Sequence, residues 1–327
     1  MKAIQIASFG GIEVLTYEDV ERPKPGPGQV LVRVEASGVG PWDVWIREGR
    51  SVLPQPLPLI LGSDLAGVVE AVGPDVEAFA VGDAVFGVTN GRFIGAYAQF
   101  ALADMAMIAR RPPQISVLEA ASVPVIATTA WQMLVDHAKA TAGQTVLVLG
   151  GAGNVGAFAV QMAHDLGARV VATARGNQFD EVRVLGADSV ADRVELALGE
   201  VAGRIDVVID TLGGSALAAA MEAVRPGGVV ISAVETPDQA VAARRGIRGA
   251  FMLVAVTSER LGKIAELMSR RRLVARVGEI IPLSDARLAH EMLGGLQHKP
   301  GKILLVPPSD TDGPEHVVQG PFSGGKL

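Results

Sequence analysis

An apolar strand that runs straight into closely spaced glycines, and from them into a helix, constrains this chain more than any other stretch: Val146-Leu-Val-Leu-Gly-Gly-Ala-Gly-Asn-Val-Gly156. Gly151, Gly153 and Gly156 fall at G-x-G-x-x-G spacing. In such a motif one glycine permits a tight turn, one lets backbone approach a pyrophosphate, and one lets helix and strand pack closely. The helix predicted from Val155 to Leu166 aims unpaired N–H groups and the positive end of its dipole at the same place. With 39 glycines in the chain, spacing alone carries little. The context carries it, because Arg169-Val-Val-Ala-Thr173 follows the helix as a second strand. Gly151, Gly153, Asn154, Val155 and Gly156 are therefore candidate dinucleotide contacts.

From about Ser116 the pattern alternates between helix and strand. A helix over 119–142, broken near Pro124, leads to strands at 146–149, 169–173 and 206–210. A helix over 215–224 closes on Arg225-Pro-Gly-Gly228 before a strand at 228–233. Near-continuous apolar strands alternating with helices predict a parallel sheet covered on both faces. A strand at Phe251–Val256, a helix at Ser258–Arg271, one more helix and a last strand at Lys302–Val306 complete the ordered chain. The N-terminal third instead shows short strands punctuated by glycine and proline, at 29–35, 67–73, 83–87 and 96–102, which suggest a small β-barrel-like domain. The tail from Pro307 to Leu327 has no periodicity and reads as disordered.

Composition excludes several classes of function. The chain has no cysteine, so it forms no disulfide, thiolate nucleophile or cysteine-ligated zinc site. His137, His164, His290, His298 and His316 are scattered without helical metal-ligand spacing and read as surface or packing residues. No apolar run approaches the ~20 residues that span a bilayer, and the N-terminus lacks a signal-peptide core, so a cytoplasmic location is expected. A net charge of −6 argues against nucleic acid as a partner.

With these elements placed, the chain resembles the medium-chain dehydrogenase/reductase superfamily, and most of all its zinc-independent quinone oxidoreductase (zeta-crystallin-like) branch. The resemblance rests on Gly62-Ser-Asp-Leu-Ala-Gly67 running into Val72-Gly-Pro-Asp-Val76, on Val81-Gly-Asp-Ala-Val-Phe-Gly87, on Gly95-Ala-Tyr-Ala-Gln-Phe100, on the glycine motif, on Leu185-Gly-Ala-Asp188 and on His298-Lys-Pro-Gly-Lys302. It implies an α/β fold: a Rossmann doubly wound parallel sheet over 123–265, and a β-rich GroES-like catalytic domain over 1–122 plus 266–306. Zinc-dependent relatives carry Gly-His-Glu where this chain has Gly62-Ser63-Asp64, and a ligand cysteine where it has Gly40. No metal is expected. Family members are usually oligomeric, and an edge strand at Phe251–Val256 suggests a homodimer.

The second Rossmann strand ends in Thr173-Ala-Arg-Gly-Asn177, without the acid that would hold the ribose hydroxyls of NAD. Arg175 can pair with a 2′-phosphate, and Arg193 takes a place where similar reductases often have a tyrosine beside the adenosine phosphate. This favours NADPH, although both arginines are also ordinary surface residues in type. The resemblance places Thr128 near the nicotinamide, the alternative being a helix-start hydroxyl. Thr173, Ala174, Leu212 and Val234 complete the cofactor set. The implied reaction is hydride transfer to a quinone or α,β-unsaturated carbonyl. Trp42, Asp43 and Trp45 are candidates for lining the acceptor cleft. The two tryptophans either stack on a flat acceptor or pack, and Asp43 reads as a structural acceptor sooner than an acid. No proton donor is evident: Tyr17 and Tyr97 both read as structural, and water is an alternative. Two other functions stand beside this one. One is an enoyl-thioester reductase with Arg47 and Arg92 at its entrance, and the other is a non-catalytic NADPH-binding or RNA-associated protein.

Overall fold

The computed structural model describes residues 1–309, apart from Ala202 and the side chain of Glu200. The tail expected to be disordered lies, from residue 310 on, outside the described residues.

Six parallel strands form one sheet in the order Ser189–Ala191, Arg169–Thr173, Thr145–Leu149, Ile205–Asp210, Val224–Ser232, Arg248–Phe251. Counted along the chain this is 3-2-1-4-5-6, the doubly wound order. Thr145–Leu149 is buried along its whole length because helices cover both faces. The order reverses between that strand and Ile205–Asp210, which opens a crevice at their carboxyl ends.

A seven-stranded, mostly antiparallel sheet holds the N-terminal strands Gln29–Val39, Asp64–Val72, Ala84–Val88, Phe100–Asp104 and Ile108–Arg110 together with Val277–Pro282 and Lys302–Val306. A three-stranded sheet of Thr16–Asp19, Lys2–Ile6 and Leu59–Ile60 stands beside it. The chain therefore leaves the barrel-like part, builds the parallel sheet, and comes back. The helix Ser258–Ser269 runs unbroken through the anticipated boundary at 265/266, so the return begins only after Ser269. One apolar core joins the two parts. Ala66, Phe86 and Val88 of the barrel-like sheet and Val146 and Val170 of the parallel sheet belong to a single cluster around the helix Pro124–Trp131.

Three expectations need correction. The helix over 119–142 is in fact Val117–Ala121, then Pro124–Trp131, then a π-helical turn Gln132–Ala138 that stops at Lys139, which adopts the left-handed conformation. The strand over 251–256 sits earlier, at Arg248–Phe251, because Gly246 (φ +64°) ends the preceding helix and sends the chain straight back to the sheet. Met252 still donates its N–H to the Ser232 carbonyl at 3.0 Å, and the chain from Leu253 to Val256 continues outside any strand. Within the glycine motif, the tight turn belongs to Gly150 (φ +84°), which lies just ahead of the three spaced glycines.

The close approach belongs to Gly156, where an added Cβ would stand 2.0 Å from the Gly150 carbonyl oxygen. At Gly153 the same addition meets that oxygen only at 3.2 Å. Gly156→Ala should lower the thermal midpoint by several degrees through a backbone clash, with a cost of about 1–3 kcal/mol, whereas Gly153→Ala should melt close to the parent. Equal melting curves for the two variants would contradict this packing.

Candidate active site and cofactor cleft

At the crevice the first strand, the glycine turn and the second strand are tied together by backbone. The Gly150 N–H donates to Thr173 Oγ1 at 2.9 Å and the Gly151 N–H to the Thr173 carbonyl at 2.8 Å. Thr173 is therefore a strut of the turn, its hydroxyl already accepting one bond. The helix Asn154–Asp165 starts at Gly153, and no side chain caps it. Its first N–H groups have no intrahelical acceptor and suit an anion.

The next two strand ends are pinned by a polar knot. Asp210, fully buried, accepts from the N–H groups of Leu212 (3.0 Å) and Gly213 (2.9 Å) and from Ser232 Oγ (2.6 Å). Ser232 Oγ in turn accepts from the N–H groups of Val234 and Glu235. The knot holds Leu212 and Val234 out at the crevice, 54% and 49% exposed, an arrangement that suits apolar contact with a ligand. Asp210 and Ser232 were not foreseen; an Asp three residues before a Gly at a strand end is the signal for the first of them. Arg276 was not foreseen either. It reaches from beyond the parallel-sheet region to donate to the Ala152 carbonyl (2.8 Å) and pairs with Glu181, which braces the glycine loop from outside.

Arg175 lies exposed just past the second strand; its carbonyl accepts from the Gln178 N–H, and its side chain makes no hydrogen bond or ion pair among the described residues. Asp180, the nearest acid in sequence, is 98% exposed and faces Arg183 at 3.0 Å. Arg193 is largely exposed, 3.9 Å from Asp192. Ala174 is half-buried at the strand end. Thr128 is the fifth residue of Pro124–Trp131, so it is not a helix-start hydroxyl. It is fully buried, and its Oγ1 has no partner. Such an atom is costly unless something bonds it.

On the barrel-like side, Pro41 at the first helical position starts the helix Pro41–Arg47, which carries all three cleft candidates. Asp43 is fully buried. It accepts from the Gly40 N–H (2.8 Å) and the Tyr97 hydroxyl (2.9 Å). Burial pushes its carboxyl up to about 7 and drives the Tyr97 phenol well above its usual range. Trp42 is half-buried, its Nε1–H donating to Ser63 Oγ at 3.0 Å, and Trp45 is 49% exposed. Arg47 cannot serve at an entrance. It is buried, donates to the Gly10 carbonyl, pairs with Glu48, and stands 3.1 Å from His290 Nδ1. His290, buried beside this guanidinium, is held down to about 4 and stays neutral, a packing residue as read from sequence.

A doubly wound sheet with a glycine-capped helix at its switch point, joined to a barrel-like β domain, is the architecture of a dinucleotide-binding protein. Two family models match: the alcohol dehydrogenase GroES-like domain over residues 26–113 and the zinc-binding dehydrogenase family over 185–305. The quinone oxidoreductase of Mus musculus is 33% identical over 327 residues, spanning 94% of this chain and 98% of that protein. A stretch making up 9% of an erythronolide synthase of Saccharopolyspora erythraea is 35% identical across 97% of this chain. Among solved structures, the quinone oxidoreductase from Coxiella burnetii superposes with a TM-score of 0.85 at 30% identity, covering 94% of this chain and 99% of that one. A mycobacterial protein complexed with NADPH gives 0.81 at 29% identity, covering 94% and 100%. The chain belongs to the medium-chain dehydrogenase/reductase superfamily and is an oxidoreductase of its quinone oxidoreductase branch.

The residues at the place of zinc in metal-dependent relatives do not fit that ion. Gly40 has no donor atom and Ser63 Oγ accepts from Trp42. The Asp64 oxygens face the Val125 N–H and the Lys302 ammonium. Among the described residues no group of three or more His, Asp or Glu could hold a metal ion, and the chain has no cysteine.

The Asp43 shift has a measurable consequence. Its carboxyl titrates near 3.8 when unfolded and near 7 when folded. Between those values the folded protein keeps a proton that the unfolded chain releases, so this contribution is full below about pH 4 and lost by about pH 7. Asp43→Asn removes the titration. Its melting temperature relative to the parent should rise between about pH 4.5 and about pH 7.5, and a pH-independent difference would contradict the burial.

Proposed function

We propose that this chain is a cytoplasmic, zinc-independent NADPH-dependent oxidoreductase that delivers hydride to a quinone or α,β-unsaturated carbonyl. The observation that carries the cofactor choice is the uncommitted Arg175 at the end of the second strand, where NAD recognition would call for an acid. Gly151, Gly153 and the N–H groups of Asn154, Val155 and Gly156 bind the diphosphate. Arg175, with Arg193 nearby, pairs with the 2′-phosphate. Leu212 and Val234 pack on the cofactor, Thr173 and Ala174 close the adenosine end, and the Thr128 hydroxyl bonds the nicotinamide end. The bound cofactor supplies the hydride, while the protein holds a flat acceptor beside Trp42 and Trp45 and keeps bulk water from the transfer. Protonation falls to water: the Tyr97 hydroxyl is buried and donates to Asp43, and Tyr17 sits on the peripheral strand Thr16–Asp19. No helix among the described residues is long and apolar enough to cross a membrane. The negative net charge supports a small-molecule substrate over nucleic acid.

A second reading, an enoyl-thioester reductase, is favoured by the polyketide synthase relative. It is weakened by Arg47, which is buried and leaves only Arg92 exposed for a carrier phosphate.

NADPH oxidation followed at 340 nm against quinones, enones and enoyl thioesters, with NADH alongside, separates these functions. Turnover of quinones or enones with NADPH is expected. Turnover of thioesters alone overturns the acceptor, and tight NADPH binding with no turnover overturns the enzyme. Arg175→Ala should weaken NADPH by about 10- to 100-fold, the worth of a charge-assisted bond, and leave NADH unchanged.

For the assembly we propose a homodimer joined along the sheet edge at Arg248–Phe251 and the segment after it, where Leu253 is 62% exposed. A monomeric mass by sedimentation at micromolar concentration would overturn this.

A further inference from the structure

The Asp64 carboxylate joins both sides of the cleft. Its Oδ1 accepts at 3.1 Å from the Val125 N–H, the first N–H of the helix that carries Thr128, since Pro124 has none and Val123 offers no side-chain cap. Its Oδ2 stands 2.8 Å from Lys302 Nζ, and both residues are buried. The ammonium in turn lies 4.3 Å from the centroid of the Trp42 ring. Room for the pair comes from Gly38, where an added Cβ would stand 2.7 Å from Lys302 Cε and 3.0 Å from Asp64 Cβ.

Trp42 is fixed on its other sides too. Its indole N–H bonds Ser63, and its six-membered ring lies over Gly40, where an added Cβ would come within 2.4 Å of Cζ2 and Cη2. Positions 40 and 63 are those where zinc-dependent relatives carry the cysteine and the histidine. Here the indole bridges them, and a buried ammonium supplies positive charge beneath it.

Resting on the acceptor class proposed above, we infer that Trp42 is the specificity-determining platform for a planar acceptor, and that Lys302 is the positioning residue that holds it. Asp64 keeps that platform in register with the Thr128 helix. The indole is half-buried, and the surface left for a ligand is the part that neither the ammonium nor Gly40 covers. A ring held at three points has already lost its rotamer freedom and stacks on a flat acceptor at little further entropic cost. A small acyclic enone, with no extended face, gains little from this arrangement.

The test uses the full-length protein; emission is read with Trp45 and Trp131 replaced by phenylalanine, so that Trp42 alone emits, and kinetics and cofactor affinity are read with both tryptophans kept. Lys302→Met by itself leaves Asp64 buried and unpaired and can fail to fold. The paired variant Lys302→Met with Asp64→Asn keeps the bond from Val125 and removes both charges. In it, Trp42 emission should shift and become more open to acrylamide quenching. KM for a fused-ring quinone should rise by about 3- to 30-fold, the worth of a desolvated cation–π contact. KM for a small acyclic enone and the affinity for NADPH should move by less than about threefold. Unchanged Trp42 emission and an unchanged preference for planar acceptors in the folded double variant would overturn the role of Lys302. The emission and quenching measurements need no turnover, so they stand apart from a parent protein that reduces neither acceptor, which would instead overturn the proposed function.

Discussion

The ion pair between Asp64 and Lys302 is the interaction on which the geometry of the cleft depends. Taking both charges out of water costs several kcal/mol per ion, and only close contact with full hydrogen bonding offsets it. Here the contact is close, at 2.8 Å, with a helix N–H on the remaining carboxylate oxygen, while an aromatic face stands over the ammonium in place of further acceptors. Burial alone pushes the Asp64 carboxyl upward, and the adjacent ammonium is the largest influence opposing it. A buried pair of this kind contributes little net stability compared with an apolar replacement. What it contributes is a fixed geometry, because neither charge can leave its partner without being stranded. Lys302 is on the last barrel strand, Asp64 on a central one, and Val125 on a helix of the shared core. The pair thus ties the first, middle and last thirds of the chain at one point.

The cofactor side is organised by a different kind of constraint, the absence of side chains. Gly150 turns, Gly156 lets the helix approach within contact of the turn, and Gly153 leaves the helix start open. Around this bare backbone, polar knots do the bracing. Asp210 with Ser232 fixes two strand ends from within the sheet, and Arg276 holds the Ala152 carbonyl from without. The crevice is consequently braced at its floor, with the uncommitted Arg175 side chain and the apolar Leu212 and Val234 exposed around it and the unpartnered Thr128 hydroxyl buried. The acceptor side is also built on contacts that glycine permits, since Gly38 admits the ion pair and Gly40 admits the indole.

Most of the parallel-sheet region was legible from sequence because its signals are local: continuous apolar strands, helices of regular period, and glycine and proline at their ends. The misplaced strand at 251–256 shows the limit. Its apolar run is genuine, yet Gly246 turns the chain early and Arg248–Phe251 takes the edge instead, leaving the apolar residues beyond it. The helix over 119–142 failed for a related reason, since period alone does not show a π-helical turn or a left-handed stop at Lys139. Arg47 was misjudged as an entrance residue because charge suggests exposure, whereas here Gly10, Glu48 and His290 surround it.

By itself, then, the order of residues determined the superfamily, the doubly wound sheet, the glycine-rich turn, the lack of zinc ligands and the missing acid after the second strand. These follow from residue types at short spacings, where covalent geometry and hydrogen-bond chemistry leave few alternatives. Only the tertiary structure decided that Lys302 lies beneath Trp42, that Asp64 caps the helix of Thr128, that Asp210 and Ser232 share a knot, and that Arg276 braces Ala152. Each of those contacts joins residues between 22 and 260 positions apart. Which of them meet depends on how the strands pair and the layers pack, and no local pattern records it.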